Sequence, residues 1–600
     1  MNVQDGASDD RPQTTPEKVF PWLTGYWLPL LVLILTLHVE MAGYSSAIHS
    51  PTWDEVGHLV SGVYHLEVGD FDLYKVNPPI PRMIAAIPTV IYGHAPIKRI
   101  ENRTAFPGRP EWQTGIAFLQ DNPDHIVTYF MLGRWMLIPF SVCAALIIFL
   151  WSRELYGVTA GLVATLIWCI EPNSLANAAM YTPDLAASAS GLFATYTFRR
   201  WLVSPGWKTA LVSGGALGVA ELCKSTWLVL LVLWPALWLI KWAFVKRRIS
   251  KDFWQEFRQI LVIGVIVVYL LNLGYAFEST CEPLETFTFV SRTLRGDGGS
   301  DVDGLPAGNR FKGTLLGKLP VPLPKNYVLG IDFQKREFES GGYDSYLMGE
   351  LRGEGWWYYY LFAMFLKTPL GFISLLIIGC FSAWLFRREV DWFEQLLVLA
   401  VPISVIAFVS SQSGFTNHLR YVTIAYPFLF IWASQAVKFC AKPSSVASTI
   451  VYLSLAWGVS SSLSNFPHSL SYFNELTGGP SHAGKFIGCS RFDSTLDWGQ
   501  NLLLLKDWLN EHRGVDLDGI ASGGMYEFRN CIGLSMHTPP GEPKPGSYVV
   551  GAPDLFRPGS QWGYFKEFHP IARIGCTLFV YKIREEDVRE YREKHRPMGQ

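Results

Sequence analysis

Charge is scarce in this 600-residue chain. Asp, Glu, Lys and Arg make up 17% of it, where a soluble domain carries about a quarter. The formal net charge is −1, so there is no basic field of the kind that attracts nucleic acid. Cysteine is sparse too. Nine are scattered with no C-x-x-C pair, which argues against a cysteine metal site. A glycine-rich dinucleotide fingerprint is missing, as is any internal repeat. The first twenty residues are polar and include Asp9-Asp10. They lack the short basic start of a cleaved signal peptide, so the first apolar run reads as a retained anchor.

Apolar residues are abundant: 49% of the chain, with 14% aromatic and a mean hydropathy of +0.18. The 23 Trp, 26 Tyr and 38 Phe suit membrane interfaces and carbohydrate contacts alike. A helix crossing a bilayer needs roughly twenty mostly apolar residues. By that measure roughly eleven spans are expected, at about 25–48, 127–150, 157–171, 183–198, 209–222, 226–244, 259–277, 357–385, 394–411, 420–437 and 447–464. Cys143, Cys169, Cys223, Cys380 and Cys440 lie in or beside these runs as small buried hydrophobes.

Short loops carry the orientation signal. Lys246, Arg247, Arg248, Lys251 and Arg258, Arg199 and Arg200, Arg387 and Arg388, and Lys438 and Lys442 all fall on one side if the N-terminus is cytoplasmic. The expected organisation is a cytoplasmic tail over 1–24, a transmembrane domain over 25–464 with outer loops 49–126 and 278–356, and an outer C-terminal α/β domain over 465–600. In that tail, residues 499–512 have helical periodicity, and 547–551 and 576–583 read as strands. Cys281, Cys489, Cys531 and Cys576 fall on the outer side, where one or two disulfides could form in a pairing that spacing leaves open.

Three local motifs are set aside. Gly479 to Lys485 matches most of a phosphate-binding loop, but Phe486 stands where Ser or Thr holds magnesium, leaving a Gly-Pro turn. Asp301-Val302-Asp303 resembles the Asp-x-Asp that holds a metal-bound nucleotide sugar. As an EF-hand it fails at Gly299 and Arg310, and it reads as a solvated loop. Asn102-Arg103-Thr104 fits a glycosylation sequon by chance.

The chemistry begins at Thr52-Trp53-Asp54-Glu55, directly after the first span. Carboxylates at the mouth of a lipid-embedded helix are costly to desolvate and point to function, although Asp54 could also cap a helix. Tyr74-Lys75-Val76-Asn77-Pro78-Pro79-Ile80-Pro81-Arg82 follows. Its Pro-Pro pair makes a rigid extended turn presenting Lys75, Asn77 and Arg82.

An Asp-Glu pair after the first span, followed by a polar residue before Pro-Pro-Ile, resembles the GT-C superfamily of membrane glycosyltransferases. The likeness is to the branch of protein O-mannosyltransferases and lipid A aminoarabinose transferases. Glu171-Pro172-Asn173 with Thr182-Pro183-Asp184 resembles that branch's second outer loop. Gly214 to Lys224 resembles its glycine-rich fifth span ending in a lysine, and Asn417-His418-Leu419-Arg420-Tyr421 its late Arg-Tyr. Tyr346 to Glu350 before Trp356-Trp357-Tyr358, Lys367-Thr368-Pro369, Ser471 to Glu475 and Asp497-Trp498-Gly499-Gln500 are similar to segments of bacterial members. One departure stands out: Asn77 takes the place of the Lys or His that precedes Pro-Pro in the two groups.

The resemblance implies a GT-C polytopic fold that takes sugar from a polyprenyl-phosphate carrier. The sugar would pass to a hydroxyl of a protein, lipid or polysaccharide at the non-cytoplasmic face, in a bacterial inner membrane, without cofactor or catalytic metal. Asp54 is then the base or acceptor-orienting carboxylate, supported by Glu55 and Asp184. Lys75, Lys224, His418 and Arg420 are candidates for the donor phosphate, since Arg binds it bidentately and Lys as a point charge. Lys224 and Arg420 could equally snorkel at helix ends. Asn77, Arg82, Glu350 and Lys367 are expected to touch substrate. Competing readings are a secondary transporter, whose acids would sit at the midplane, and a non-catalytic relative that only binds polyprenyl lipid.

Overall fold

A computed structural model describes residues 25–595, apart from 102–105, 247–250, 298, 303, 341–343, 390, 413, 442–444, 491–492, 523–525 and 535–536. The 102–104 sequon, Arg247, Arg248, Asp303, Lys442 and the tail over 1–24 therefore lie outside the described residues.

Helix α1 (Trp27–Ile48) has 22 residues and is about 33 Å long at 1.5 Å per residue, enough to cross a hydrocarbon core of about 30 Å. Leu31, Ala42, Ser45 and Ser46 face inward, while Leu33, Leu37 and Val39 are exposed on what becomes a lipid-facing side. Buried His38 satisfies both ring nitrogens, on Cys169 O at 2.7 Å and Ser141 Oγ at 2.8 Å.

After α1 come α2 (Trp53–Val68) in polar sequence, a short apolar helix α3 (Ile80–Tyr92), and α4 (Pro110–Asp121), again in polar sequence. Next are α5 (Ile126–Trp135), α6 (Ile138–Tyr156), α7 (Val158–Ile170), α8 (Pro172–Ala178), α9 (Pro183–Val203), α10 (Trp207–Cys223), α11 (Leu228–Lys241) and α12 (Lys251–Gly274). A polar region then carries two small antiparallel hairpins, β1 (Ser300–Val302) with β2 (Leu305–Ala307), and β3 (Ser345–Leu347) with β4 (Glu350–Arg352). Helix α13 (Lys325–Ser340) lies between them. The chain returns to apolar helices in α14 (Tyr359–Lys367), α15 (Leu370–Leu385), α16 (Trp392–Ser410), α17 (Tyr426–Ser434) and α18 (Val446–Ser464).

Seven helical stretches among the described residues, some joining neighbouring elements such as α5 and α6 over Ile126–Tyr156, are long and apolar enough to cross a membrane, or nine when the bent pairs α7–α8 (62°) and α14–α15 (114°) each count as one span. The protein is thus an integral membrane protein of the polytopic helical class. Prolines explain the bends: Pro172 and Pro369 cannot donate to the preceding turn. The difference from the expected eleven lies in α9 and α10. Helix α9 is rich in Ala and Ser and buried along almost its whole length, so neighbouring helices, not lipid, surround it. Helix α10 has only 17 residues.

Close packing around α9 depends on Gly191. A methyl group there would sit 1.8 Å from Trp227 Cζ2, and the indole cannot swing away because its Nε1 donates to Ala187 O at 3.0 Å. Gly191→Ala is therefore expected to lower stability by at least about 1–3 kcal/mol, as overpacked cores do. A fall in the thermal midpoint of the purified protein measures it.

The C-terminal part contains α19 (Leu502–Glu511) and a four-stranded sheet of order β5-β6-β8-β7. Strand β5 (Gly519–Ala521) runs parallel to β6 (Gly546–Gly551), which pairs antiparallel with β8 (Leu578–Ile583), itself antiparallel to β7 (Ala572–Ile574). The runs at 546–551 and 578–583 are almost continuously buried, as in strands covered on both faces. This part docks on the start of the polar helices. Ser50 N donates to Gln500 O at 2.9 Å, and Leu503 N donates to Ser50 Oγ at 2.7 Å. Leu502, Leu505 and Ile520 share a core with Val56, Leu59 and Leu119. All nine cysteines are unpaired. Residues 479–485 form a turn and a four-residue helix, Pro480–Ala483, and Asp301 Oδ1 accepts from Gly304 N at 2.9 Å within its own hairpin.

Candidate active site

Asp54 and Glu55 occupy the first turn of α2, where carboxylates favour the positive helix end. Adjacent residues on a helix point about 100° apart, and these two separate. Glu55 turns inward and is fully buried. It accepts from Thr52 N at 2.6 Å and Tyr181 N at 2.6 Å, and from Arg134 Nε and Nη2 at 2.7 Å each. Asp54 turns into a cavity of about 620 Å³ between the ends of the apolar helices and the C-terminal sheet.

Three further predicted residues meet Asp54 there. Arg420 Nη2 donates to Asp54 Oδ2 at 2.6 Å, and Nη1 lies 3.7 Å from Asp184 Oδ2. Lys224, in extended backbone just past the end of α10, reaches Asp184 Oδ1 at 2.5 Å. Asp54, Arg420, Asp184 and Lys224 thus form a chain of alternating charge, with Asp184 and Lys224 buried. Arg420 lies 4.4 Å over the Trp498 ring, and its Nε has no hydrogen-bond partner. Asp54 Oδ1 likewise has no partner among the described residues.

His418 sits beside this chain with φ +59°, a left-handed conformation rare outside glycine. Its backbone N donates to Asp493 Oδ1 at 3.1 Å, and Ser494 N donates to its Nδ1 at 3.1 Å. An accepting Nδ1 leaves the neutral ring's proton on Nε2. Asp493 also accepts from Tyr359 O–H at 2.9 Å and Thr495 N at 2.8 Å. Asn77 lines the cavity beside Tyr74.

The chain is similar to solved structures of ArnT and of an archaeal oligosaccharyltransferase. ArnT from Cupriavidus metallidurans in the apo state shares 11% identity at a TM-score of 0.43, over 93% of this chain and 98% of that one. The same protein bound to undecaprenyl phosphate shares 12% at 0.42, over 94% and 99%. AglB from Archaeoglobus fulgidus, in complex with an inhibitory peptide and a dolichol-phosphate, shares 12% at 0.41, over 94% and 75%. No protein-family model and no curated protein sequence matches the chain.

Five predicted residues lie away from the cavity. Glu55 is committed to Arg134, as described. Arg82 is buried in the first turn of α3 and donates back to Tyr74 O at 2.9 Å and to Asn77 O, so it holds the preceding turn from behind. Lys75 pairs with Asp72 at 2.7 Å and lies over Phe333. Glu350, on the β3–β4 hairpin, pairs with Arg352 at 2.7 Å and is 57% exposed. Lys367 is buried at the α14–α15 bend and donates to Leu470 O at 2.6 Å and Thr495 O at 2.7 Å.

Other cavity residues had no role assigned from sequence, although Trp53 and Asp497 stand in motifs noted above. Arg109 pairs with Glu111 and Glu337, while Trp53, Phe106 and Trp112 add an aromatic wall. Asp493, Asp497, Arg529, Asp554, Arg557 and Trp562 come from the C-terminal part. Burial and the neighbouring charge of Asp497 push the Asp554 carboxyl up to about 6. Between about pH 4 and 6 the folded state therefore holds a proton that the unfolded state releases, and stability falls as pH rises through that window. Asn has no charge to bury. Asp554→Asn should be more stable than wild type by about 1–3 kcal/mol at pH 8, with the gap closing by about pH 4. Paired thermal melts across that range test it.

Proposed function

We propose that this protein is a GT-C-type glycosyltransferase that moves a sugar from a polyprenyl-phosphate carrier to an acceptor hydroxyl at the non-cytoplasmic membrane face. What supports the reading most is the convergence of Asp54, Asp184, Lys224 and Arg420 in one cavity at the ends of apolar helices. A donor with a lipid tail reaches such a place from within the bilayer, and its charged head needs what the cavity holds.

In this mechanism the acceptor hydroxyl attacks the anomeric carbon as the bond from that carbon to the phosphate oxygen breaks. The electron pair leaves with the phosphate, whose growing charge is met by Arg420 and Lys224. The unpartnered Nε of Arg420 and the Nε2–H of His418 are further donors for it. The hydroxyl proton passes to Asp54, whose Oδ1 is unengaged, as general base. Asp184 holds both cations in place. Direct displacement inverts the anomeric centre, and the scheme calls for no metal or cofactor. The N-terminus is cytoplasmic and the C-terminal sheet outside, in keeping with the Lys and Arg of the short loops.

The test uses purified full-length protein in nanodiscs with a panel of radiolabelled undecaprenyl-phosphate sugars. Release of undecaprenyl phosphate, with the label moved to water or an added acceptor, is the expected result. If no donor is turned over, yet the protein moves solute across sealed vesicles, the transferase reading falls in favour of a transporter.

A further inference from the structure

The cavity has a second polar wall, built by the C-terminal part, that the donor chemistry above does not use. Asp497 is 3% exposed. Its Oδ1 accepts from Gly499 N at 2.9 Å and the Thr577 hydroxyl lies close to the carboxylate, while Oδ2 has no hydrogen bond of good geometry among the described residues. Asp554 lies close enough for the two carboxylates to repel, and no described residue donates to its carboxylate. Ser490 Oγ and Ser522 Oγ are buried on the same wall, also without partners. Arg529, which donates to Ile520 O at 2.9 Å, and Arg557, which pairs with Asp344 at 2.7 Å, stand near Asp554. Trp562 also lines this wall, its ring fixed by a bond from Nε1 to Pro539 O at 2.9 Å.

Buried polar atoms without partners are few in folded proteins, and each calls for an explanation. Here the acceptor-only carboxylates, the donor-only guanidinium groups and the two-way serine hydroxyls are interleaved. A cation would meet the two arginines and an anion the two aspartates. A neutral ligand rich in hydroxyls, each able to donate and accept, satisfies all of them and can lay its C–H face on Trp562. A peptide added as a strand fits less well. The outer edge of β5 is already used, since Ile520 N donates to His537 O at 2.8 Å and Arg529 Nη1 donates to Ile520 O at 2.9 Å.

We propose that the wall formed by Ser490, Asp497, Ser522, Asp554 and Trp562 is the acceptor subsite, and that the acceptor is a neutral saccharide. The assignment rests on the transferase reading for its name, but the binding itself is tested apart from it. The full-length protein in nanodiscs is mixed with maltotriose, cellotriose or chitotriose, or with a Ser/Thr-containing heptapeptide, and saturation-transfer NMR reads contact with each probe. At least one trisaccharide should receive saturation from the wild type, falling at least tenfold with Asp497→Asn/Asp554→Asn and with Trp562→Ala.

Undecaprenyl phosphate should raise the thermal midpoint of these variants as it does that of the wild type, showing that they are folded. Saturation of no trisaccharide, equal saturation in the variants, or saturation of the peptide alone overturns the proposal. Should undecaprenyl phosphate not shift even the wild type, the donor reading fails, while the NMR outcome still decides the saccharide site.

Discussion

Asp54→Asn is expected to slow sugar transfer by about 10²–10⁴-fold, the usual worth of a positioned general base, with donor affinity nearly unchanged. Asn keeps the size of Asp and an oxygen for Arg420, but it cannot take a proton from the acceptor. Losing the carboxylate charge also weakens the hold on Arg420, 2.6 Å away, which favours holding an anion. The expected pattern is thus a fall in kcat with KM for the lipid donor level or lower. Initial rates with radiolabelled donor over a range of donor concentrations separate the two. An Asp54→Asn protein that transfers at the wild-type rate removes Asp54 from the chemistry. A rise in KM alone makes it a binding residue.

The second large effect is on stability. Arg134→Met is expected to cost about 3–5 kcal/mol, because it leaves the Glu55 carboxylate buried without its partner. Arg134 does more than pair: it donates to Ser46 O at 2.9 Å and His49 O at 2.8 Å, and to Ser50 O at 2.8 Å. Those carbonyls belong to the end of α1 and the link into α2, so the side chain fixes the corner on which Asp54 is mounted. Glu55→Gln should be milder, since the amide can still accept from Arg134 and the backbone. The double variant should lose less than the sum of the single losses, as coupled neighbours do. Thermal melts of all four proteins complete the cycle, and additive losses would show that Arg134 acts through the carbonyls alone.

The apolar runs announced most of the fold, because a span is a local property of composition and length. The expected spans at α9 and α10 are both helices, but their apolar character is diluted by Ala, Ser and Gly, α9 on a helix enclosed by other helices and α10 on one of 17 residues, so the count of eleven is not confirmed. Within the tail, the helix near 502–511 was legible from periodicity, and the strands at 546–551 and 578–583 as short strand-like runs. The short strands at 519–521 and 572–574 have three residues each, too few to show a period.

The site was legible where a charged residue adjoins an apolar run, as with Asp54, Asp184, Lys224 and Arg420. Asp493, Asp554 and Arg557 adjoin no such run and reach the cavity only through tertiary packing. Neighbouring letters also misled: Glu55 shares a motif with Asp54 but faces the opposite way, and Arg82 and Lys367 are spent on carbonyls of the chain itself. Hydrogen bonds to distant backbone leave no mark on local sequence.

The alternating charges of Asp54, Asp184, Lys224 and Arg420 have a bearing on how the protein is made. Asp54 and Arg420 are 366 residues apart, so the ribosome delivers the first acid long before its partner. Asp184 and Lys224 emerge between them and can pair early, while Asp54 waits beside the bilayer without its guanidinium until the helix after Arg420 is inserted. Under the proposed function, the growing chain therefore has no completed anion-binding pair to engage a polyprenyl phosphate, and competence would arrive only as the last apolar helices enter the membrane. On that proposal, order of synthesis itself would keep the half-built protein from acting on the lipid around it.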